Sequence, residues 1–172
     1  MKDFEALFQE YKGLVFKTAM LIINNLEDAE DILQDVFTSA WKARNTFDST
    51  KGKFIVWLYR ITVNKSISMC RKKWSSTLPF EETMYTPTGS NPRYSPERAL
   101  EIKLEYEKFS KTVDILDSKH RVVLVLRYID DLSYNDIADI LDIPMGTVKS
   151  RIHNALKLLH KQMNAAVMDV DS

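Results

Sequence analysis

Residues 132–160, LSYNDIADILDIPMGTVKSRIHNALKLLH, hold two short helical patterns that meet at a tight break, and this stretch restricts the fold more than any other. Ser133 is placed to cap the first pattern, whose apolar positions are Ile137, Ala138, Ile140 and Leu141. Asp142, Ile143 and Pro144 interrupt it. Proline cannot continue the first helix but suits the first turn of a second, where its missing N–H costs nothing. In that second helix Val148, Ile152, Ala155, Leu156 and Leu159 gather on one face, at about 100° per residue. Lys149, Ser150, His153, Asn154, Lys157 and Lys161 gather on the other, with Arg151 on the flank. This is the layout of a helix-turn-helix with a basic, hydrogen-bonding second helix. An amphipathic hairpin with a solvated lysine face has the same spacing. Composition weighs against it: residues 143–164 hold Lys149, Arg151, Lys157 and Lys161 and no acid, whereas a solvated helix usually mixes signs. The turn position often filled by glycine is Asp142, for which a left-handed backbone is tolerable but not free.

Overall charge balances at 24 basic against 24 acidic side chains, but the balance conceals segregation. Residues 1–41 carry three basic and eight acidic groups, residues 42–75 nine and one, and residues 76–118 five and eight. Contact with a polyanion should therefore use two separate basic zones, 42–75 and 143–164. The four glycines argue against a loop-rich β fold. No apolar run approaches the roughly 20 residues that span a bilayer, and the amphipathic, acidic start MKDFEALFQEY is unlike a signal peptide, so the expectation is a cytoplasmic protein. Cys70 is the only cysteine; it reads as a buried, inert thiol, and His120 and His160 show no ligand-like spacing. Neither a metal nor a cofactor is expected.

The rest of the chain reads as helices. Phe4, Leu7, Phe8, Tyr11, Leu14, Val15, Thr18, Ala19 and Ile22 predict a first helix over about 3–23, stopped by Asn24 and Asn25. Over 26–42, Ala29, Ile32, Leu33, Val36, Phe37, Ala40 and Trp41 form a stripe expected to be buried. Opposite lie Asp31, Gln34, Asp35 and Thr38, a face that spacing alone reads as solvated. A polar loop with Phe47 precedes a long helix over 54–74. Ile55, Val56, Tyr59, Val63, Ile67 and Cys70 line its buried side, flanked by Leu58 and Met69. Trp57, Arg60, Asn64, Ser68 and Arg71 line the opposite side. An aromatic in line with Arg and Asn can stack on bases while Arg engages phosphates; equally, the Trp can pack on a neighbouring helix.

Residues 76–95 break all periodicity, and four of the five prolines (Pro79, Pro87, Pro92, Pro96) fall in or just beyond them. They read as an extended, semi-rigid linker between two small helical domains, 1–75 and 96–172, free to move relative to one another. Ser95, Pro96 and Glu97 open a further helix carrying Leu100, Leu104, Phe109 and Val113, and another starts near Ser118 and ends at Asp130 and Asp131. The fold class is all-α.

Taken together these stretches resemble the extracytoplasmic-function sigma factors, the small two-domain promoter-recognition subunits of bacterial RNA polymerase in the sigma-70 family. AEDILQDVFTSAWK (29–42) resembles the polymerase-binding motif of region 2, and FIVWLYRITVNKSIS (54–68) its melting and minus-10 segment. LDSKHRVVLVLRYIDDLSYNDIADILDIPMGTVKSRIHNAL (116–156) resembles region 4. The resemblance implies a non-enzymatic specificity subunit that binds core RNA polymerase, through the β′ clamp helices and the β subunit, and directs it to promoter DNA. It implies that Asp31, Gln34 and Asp35 dock on β′, and that Trp57, Arg60, Asn64 and Arg71 with loop residue Phe47 meet the minus-10 element. It implies that Lys149, Ser150, His153 and Asn154 enter the major groove at the minus-35 element while Arg151 and Lys157 hold phosphates. An anti-sigma protein as inhibitory partner is a further implication. A stand-alone helix-turn-helix regulator would explain 132–160 but leave 29–74 without a purpose. A hydrolase or nuclease finds no paired carboxylate–histidine set, phosphate loop or metal motif to work with.

Overall fold

The computed structural model describes residues 4–50, 52–75 and 115–168, and every regular element among them is helical. The expected linker over 76–95 and the helix with Leu100, Leu104, Phe109 and Val113 lie outside these residues. The first lobe is α1 (Phe4–Ile23), α2 (Leu26–Lys42) and α3 (Phe54–Ser75). Asn24 takes a left-handed φ of 60°, and Asn25 caps α2 by accepting from the Asp28 N–H at 3.0 Å, so the Asn pair both ends one helix and starts the next. Val15, Phe16, Ala19 and Met20 meet Ala29, Ile32, Val36, Phe37, Ala40 and Leu58 in one core.

The second lobe runs α4 (Ser118–Leu124), a π-helical turn (Val125–Ile129), α5 (Tyr134–Leu141) and α6 (Met145–Met168). The helix expected to reach Asp130 does so by widening: the Asp130 N–H donates to the Val125 carbonyl five residues back, at 3.0 Å. Ser133 caps α5 by accepting from the Asp136 N–H at 3.1 Å. Asp142 ends α5 at φ 52°, ψ 50°, its N–H bonded to the Ala138 carbonyl, so the left-handed turn is present without glycine. Pro144 stands at the cap of α6, one place before its first helical residue, and its carbonyl accepts from the Thr147 and Val148 N–H groups.

Several expectations change. Trp41 is 46% exposed, because at the end of α2 its ring meets Phe4 edge-on at 4.9 Å but is otherwise covered by the Arg44 guanidinium rather than by the core. Leu156 is 43% exposed: it lies about 80° round the helix from Val148 and drifts off the face that packs. Leu58 does not flank α3's buried side but is fully buried in the core of the first lobe, and Cys70 is only half-buried. The largest change concerns the two domains, which do not stand apart. Leu21 and Ile22 of α1 and Tyr59 and Val63 of α3 share one apolar cluster with Leu116, Val122–Leu126, Ile137, Ile140, Val148, Ile152 and Ala155. The buried side of α3 read from periodicity is real, but what covers it is the second lobe.

Candidate nucleic-acid and partner-docking surfaces

The second face of α6 is built by what its first face buries. Val148, Ile152 and Ala155 are locked into the core at 0%, 4% and 0% exposure, which turns Lys149, Ser150, His153, Asn154 and Lys157 outward into solvent. Arg151 is half-buried on the flank, as helical geometry requires. The Ser150 hydroxyl donates back to the Thr147 carbonyl at 3.0 Å, leaving its lone pairs outward. At the N-terminal end of this face Tyr134 gathers two cations over its ring, with Arg127 Cζ at 5.3 Å and Lys149 Nζ at 6.0 Å from the centroid. The Arg127 guanidinium donates to the Leu132 carbonyl at 3.0 Å, which fixes it beside the ring. Such cation–π pairs contribute about 0.5–1 kcal/mol each at exposed sites. A shallow depression bordered by His120, Asn154, Lys157, Leu158, Lys161 and Asn164 lies along α6 beside this face, and the surface it presents is mostly the carbon of those side chains.

On α3 the stripe opposite the second lobe divides in two. Phe47 folds back from its loop so that its ring centroid lies 5.4 Å from Trp57 and 5.4 Å from Phe54, with Phe54 and Trp57 5.5 Å apart. Two residues that sequence reading linked, Phe47 and Trp57, are therefore brought together in a half-buried aromatic platform. Trp57 also packs against the first-lobe core, so both readings of that residue hold. Asn64, Ser68 and Arg71 are exposed further along α3. Arg60 is exposed too, but its guanidinium donates to the Asp139 carbonyl of α5.

On α2, Asp31, Gln34 and Asp35 are all exposed on one side, directly behind buried Ile32 and Val36. Asp35 Oδ2 lies 3.4 Å from Lys65 Nζ in a solvent-exposed pair that a basic partner can displace at small cost. Beyond them the Arg44 guanidinium stacks 4.0 Å from the centroid of exposed Trp41. Among the described residues no cluster of His, Cys, Asp or Glu is arranged to hold a metal ion, and no helix is long and apolar enough to cross a membrane.

Sequence reading did not single out Thr18, Arg121 and Asp130, which meet at the junction of the lobes. Thr18 Oγ1 donates to Asp130 Oδ2 at 3.0 Å, and the Tyr59 hydroxyl also bonds that carboxylate. Burial pushes the Asp130 carboxyl up to about 6, against the pull of the Thr18 hydroxyl, the Lys17 charge and Tyr59. Burial together with the neighbouring Asp130 charge raises the Tyr59 phenol well above its ordinary value. The available signal was Thr18 itself, a polar residue on an apolar stripe and fully buried in the fold.

Residues 7–76 match the family described as Sigma-70 region 2, and residues 106–159 match Sigma-70, region 4. The chain is 35% identical over 160 residues to the ECF RNA polymerase sigma factor SigW of Bacillus subtilis, covering 89% of this chain and 84% of that one. It is 30% identical to the ECF RNA polymerase sigma-E factor of Escherichia coli K12, over 81% of this chain and 76% of that one. Among solved structures, CnrH in complex with the cytosolic domain of CnrY aligns with 98% of this chain and 89% of its own, at TM-score 0.65 and 27% identity. The sigma factor RpoE in complex with the anti-sigma factor NepR from Bartonella quintana is alike in fold, at TM-score 0.72 and 23% identity over 95% and 98% of the two chains.

Proposed function

This chain belongs to the extracytoplasmic-function branch of the sigma-70 family, and from that premise we propose how its surfaces divide the work of an alternative sigma factor. The partners in this reading are core RNA polymerase, promoter DNA and an anti-sigma protein, in the cytoplasm. Polymerase performs the chemistry; the sigma subunit supplies specificity. Lys149, Ser150, His153 and Asn154 read base edges at the minus-35 element, and Arg151 and Lys157 hold phosphates, which set position rather than sequence. Lys offers guanine a point donor and Asn favours adenine edges. Phe47, Trp57, Arg60, Asn64 and Arg71 meet the opening minus-10 element, where an aromatic platform can hold a fork apart while an unpaired base is read. Asp31, Gln34 and Asp35 dock on a basic surface of the polymerase β′ subunit, where carboxylates supply orientation and on-rate as much as affinity.

The observation that carries this reading is the coexistence, in one chain, of an acid-free basic face on α6 and a separate exposed acidic stripe on α2. A stand-alone DNA-binding regulator needs the first and has no use for the second. Two weak DNA readers held at a fixed separation by polymerase gain from effective concentration, so neither need bind tightly alone. The test is run-off transcription with core polymerase on a promoter library, beside gel shifts with and without core. Specific initiation only with the sigma present supports the reading. Tight specific DNA binding by the isolated protein, with no transcripts from core plus sigma, refutes it.

A further inference from the structure

Lysine is a poor reader of bases unless something aims it. Its ammonium is a point charge on a flexible four-carbon stem, whereas the planar fork of arginine carries its own geometry for the two acceptors of guanine. Lys149, the first of the base-directed residues on α6, has such a guide beside it. Its Nζ lies 6.0 Å from the centroid of the Tyr134 ring, which stands on α5 across the turn of the helix-turn-helix. Among the described residues no carboxylate pairs with Lys149, and Lys157 and Lys161, the other lysines of this face, stand over no ring. The ring sets Lys149 apart from them.

That ring is itself held firmly. Tyr134 is the first residue of α5, half-buried against the apolar cluster that contains Ile137, Ile140 and Val148. Ser133 before it is tied twice to Asp136, accepting from its N–H at 3.1 Å and donating to its carboxylate at 2.7 Å. Arg127 stands over the same ring, its Cζ 5.3 Å from the centroid, and is anchored through its bond to the Leu132 carbonyl at 3.0 Å. The ring quadrupole attracts the Lys149 ammonium while the like charge of anchored Arg127 bars it from the part of the ring already occupied. Attraction and repulsion together narrow the directions in which the stem can point.

We propose that Tyr134 is a specificity-determining positioning residue: its ring fixes the direction of the Lys149 ammonium, so that a lysine can discriminate guanine at one base pair of the minus-35 element. The inference rests on the sigma reading above for its consequence, but the ring contact is a property of the free chain. Tyr134→Leu removes the quadrupole and keeps an apolar side chain against the cluster. Tyr134→Phe keeps the ring. Lys149→Arg supplies a fork that needs no guide, so it reads guanine with or without a ring at position 134. A Tyr134 whose only role is to pack would, when replaced, weaken every position of the element alike, whichever cation stands at 149.

The test is initiation by core polymerase with each full-length chain on a promoter pool randomised across the minus-35 element, read by sequencing barcoded transcripts. Lys149→Ala identifies the base pair in question as the one whose guanine preference disappears. The expected result is a guanine preference at that pair lowered about two- to fivefold by Tyr134→Leu and retained by Tyr134→Phe. In the Lys149→Arg chain the preference should be equal with and without Tyr134→Leu. No loss, loss at every position alike, or the same loss from Tyr134→Phe overturns the proposal, as does a Lys149→Arg chain equally sensitive to Tyr134→Leu. Circular dichroism verifies that each variant is folded, and nuclear magnetic resonance of the free chain needs no variant at Tyr134. Ring current should move the Lys149 ε-methylene protons upfield, the signals being assigned by their absence from Lys149→Arg; ordinary lysine shifts overturn the contact. Absence of transcripts with every chain, while those protons stay upfield, indicts the sigma reading and leaves the ring contact standing.

Discussion

Acidification should close this protein. The perturbation is a change of pH from 7.5 to 5.0, and the responding group is the Asp130 carboxyl at the lobe junction. In the closed chain burial holds it at about 6, against an ordinary value of 3.8 once the lobes separate and water reaches it. The closed form therefore binds more protons than the open form between those two values. A folded-state value that is raised gives stability that is present at low pH and lost as pH rises through about 6. The closing constant scales as (1 + 10^(6 − pH))/(1 + 10^(3.8 − pH)), which gives roughly a tenfold increase on going from pH 7.5 to 5.0. The other groups facing Asp130 are Lys17 and Thr18 of α1 and Tyr59 of α3, each of which favours its charged form against burial. Arg127 and Asp131 pair with each other at 3.7 Å on Asp130's own segment. The assay is single-molecule energy transfer between dyes on Gly13→Cys and Tyr128→Cys, in a chain carrying Cys70→Ala, followed across the pH range with Asp130→Asn as the reference. That chain keeps every histidine and should show a profile flatter by the same tenfold. A wild-type closing constant that is unchanged or falls on acidification, relative to Asp130→Asn, would refute the reasoning.

Other expected outcomes can be checked directly. Lys149→Ala should weaken transcription from minus-35-dependent promoters by roughly 5- to 100-fold, the worth of one base-directed contact, while core polymerase binding stays unchanged in pull-down. Asp35→Ala should reduce affinity for core polymerase in a titration and leave DNA binding by the polymerase-bound complex untouched; identical defects in the two variants would break the division of labour. Ile140→Ala empties a fully buried position shared by α5 and the inter-lobe cluster, and should cost about 2–5 kcal/mol in urea unfolding. Asp142→Val should cost about 1–2 kcal/mol in the same measurement, because a β-branched side chain cannot sit comfortably at φ 52°, whereas Asp142→Gly should be neutral or stabilising.

The amino-acid order by itself determined the helices, their caps and the faces they present. Local interactions decide those features: Asn25 and Ser133 satisfy N–H groups within three residues, and Asp142 closes its turn onto Ala138 whatever the rest of the chain does. The surfaces holding Asp31, Gln34 and Asp35, and Lys149, His153 and Asn154, were legible for the same reason, since a 3.6-residue period fixes which side chains share a face. Periodicity also marked the apolar side of α3, but an apolar face does not say what will cover it. Only the tertiary structure decided that Tyr59 and Val63 meet the second lobe, that Trp41 and Leu156 stay in solvent, and that Thr18, Arg121 and Asp130, up to 112 residues apart in the chain, share one junction. Contacts over such separations depend on how whole helices dock, and docking is set by the summed burial of many side chains rather than by any local pattern.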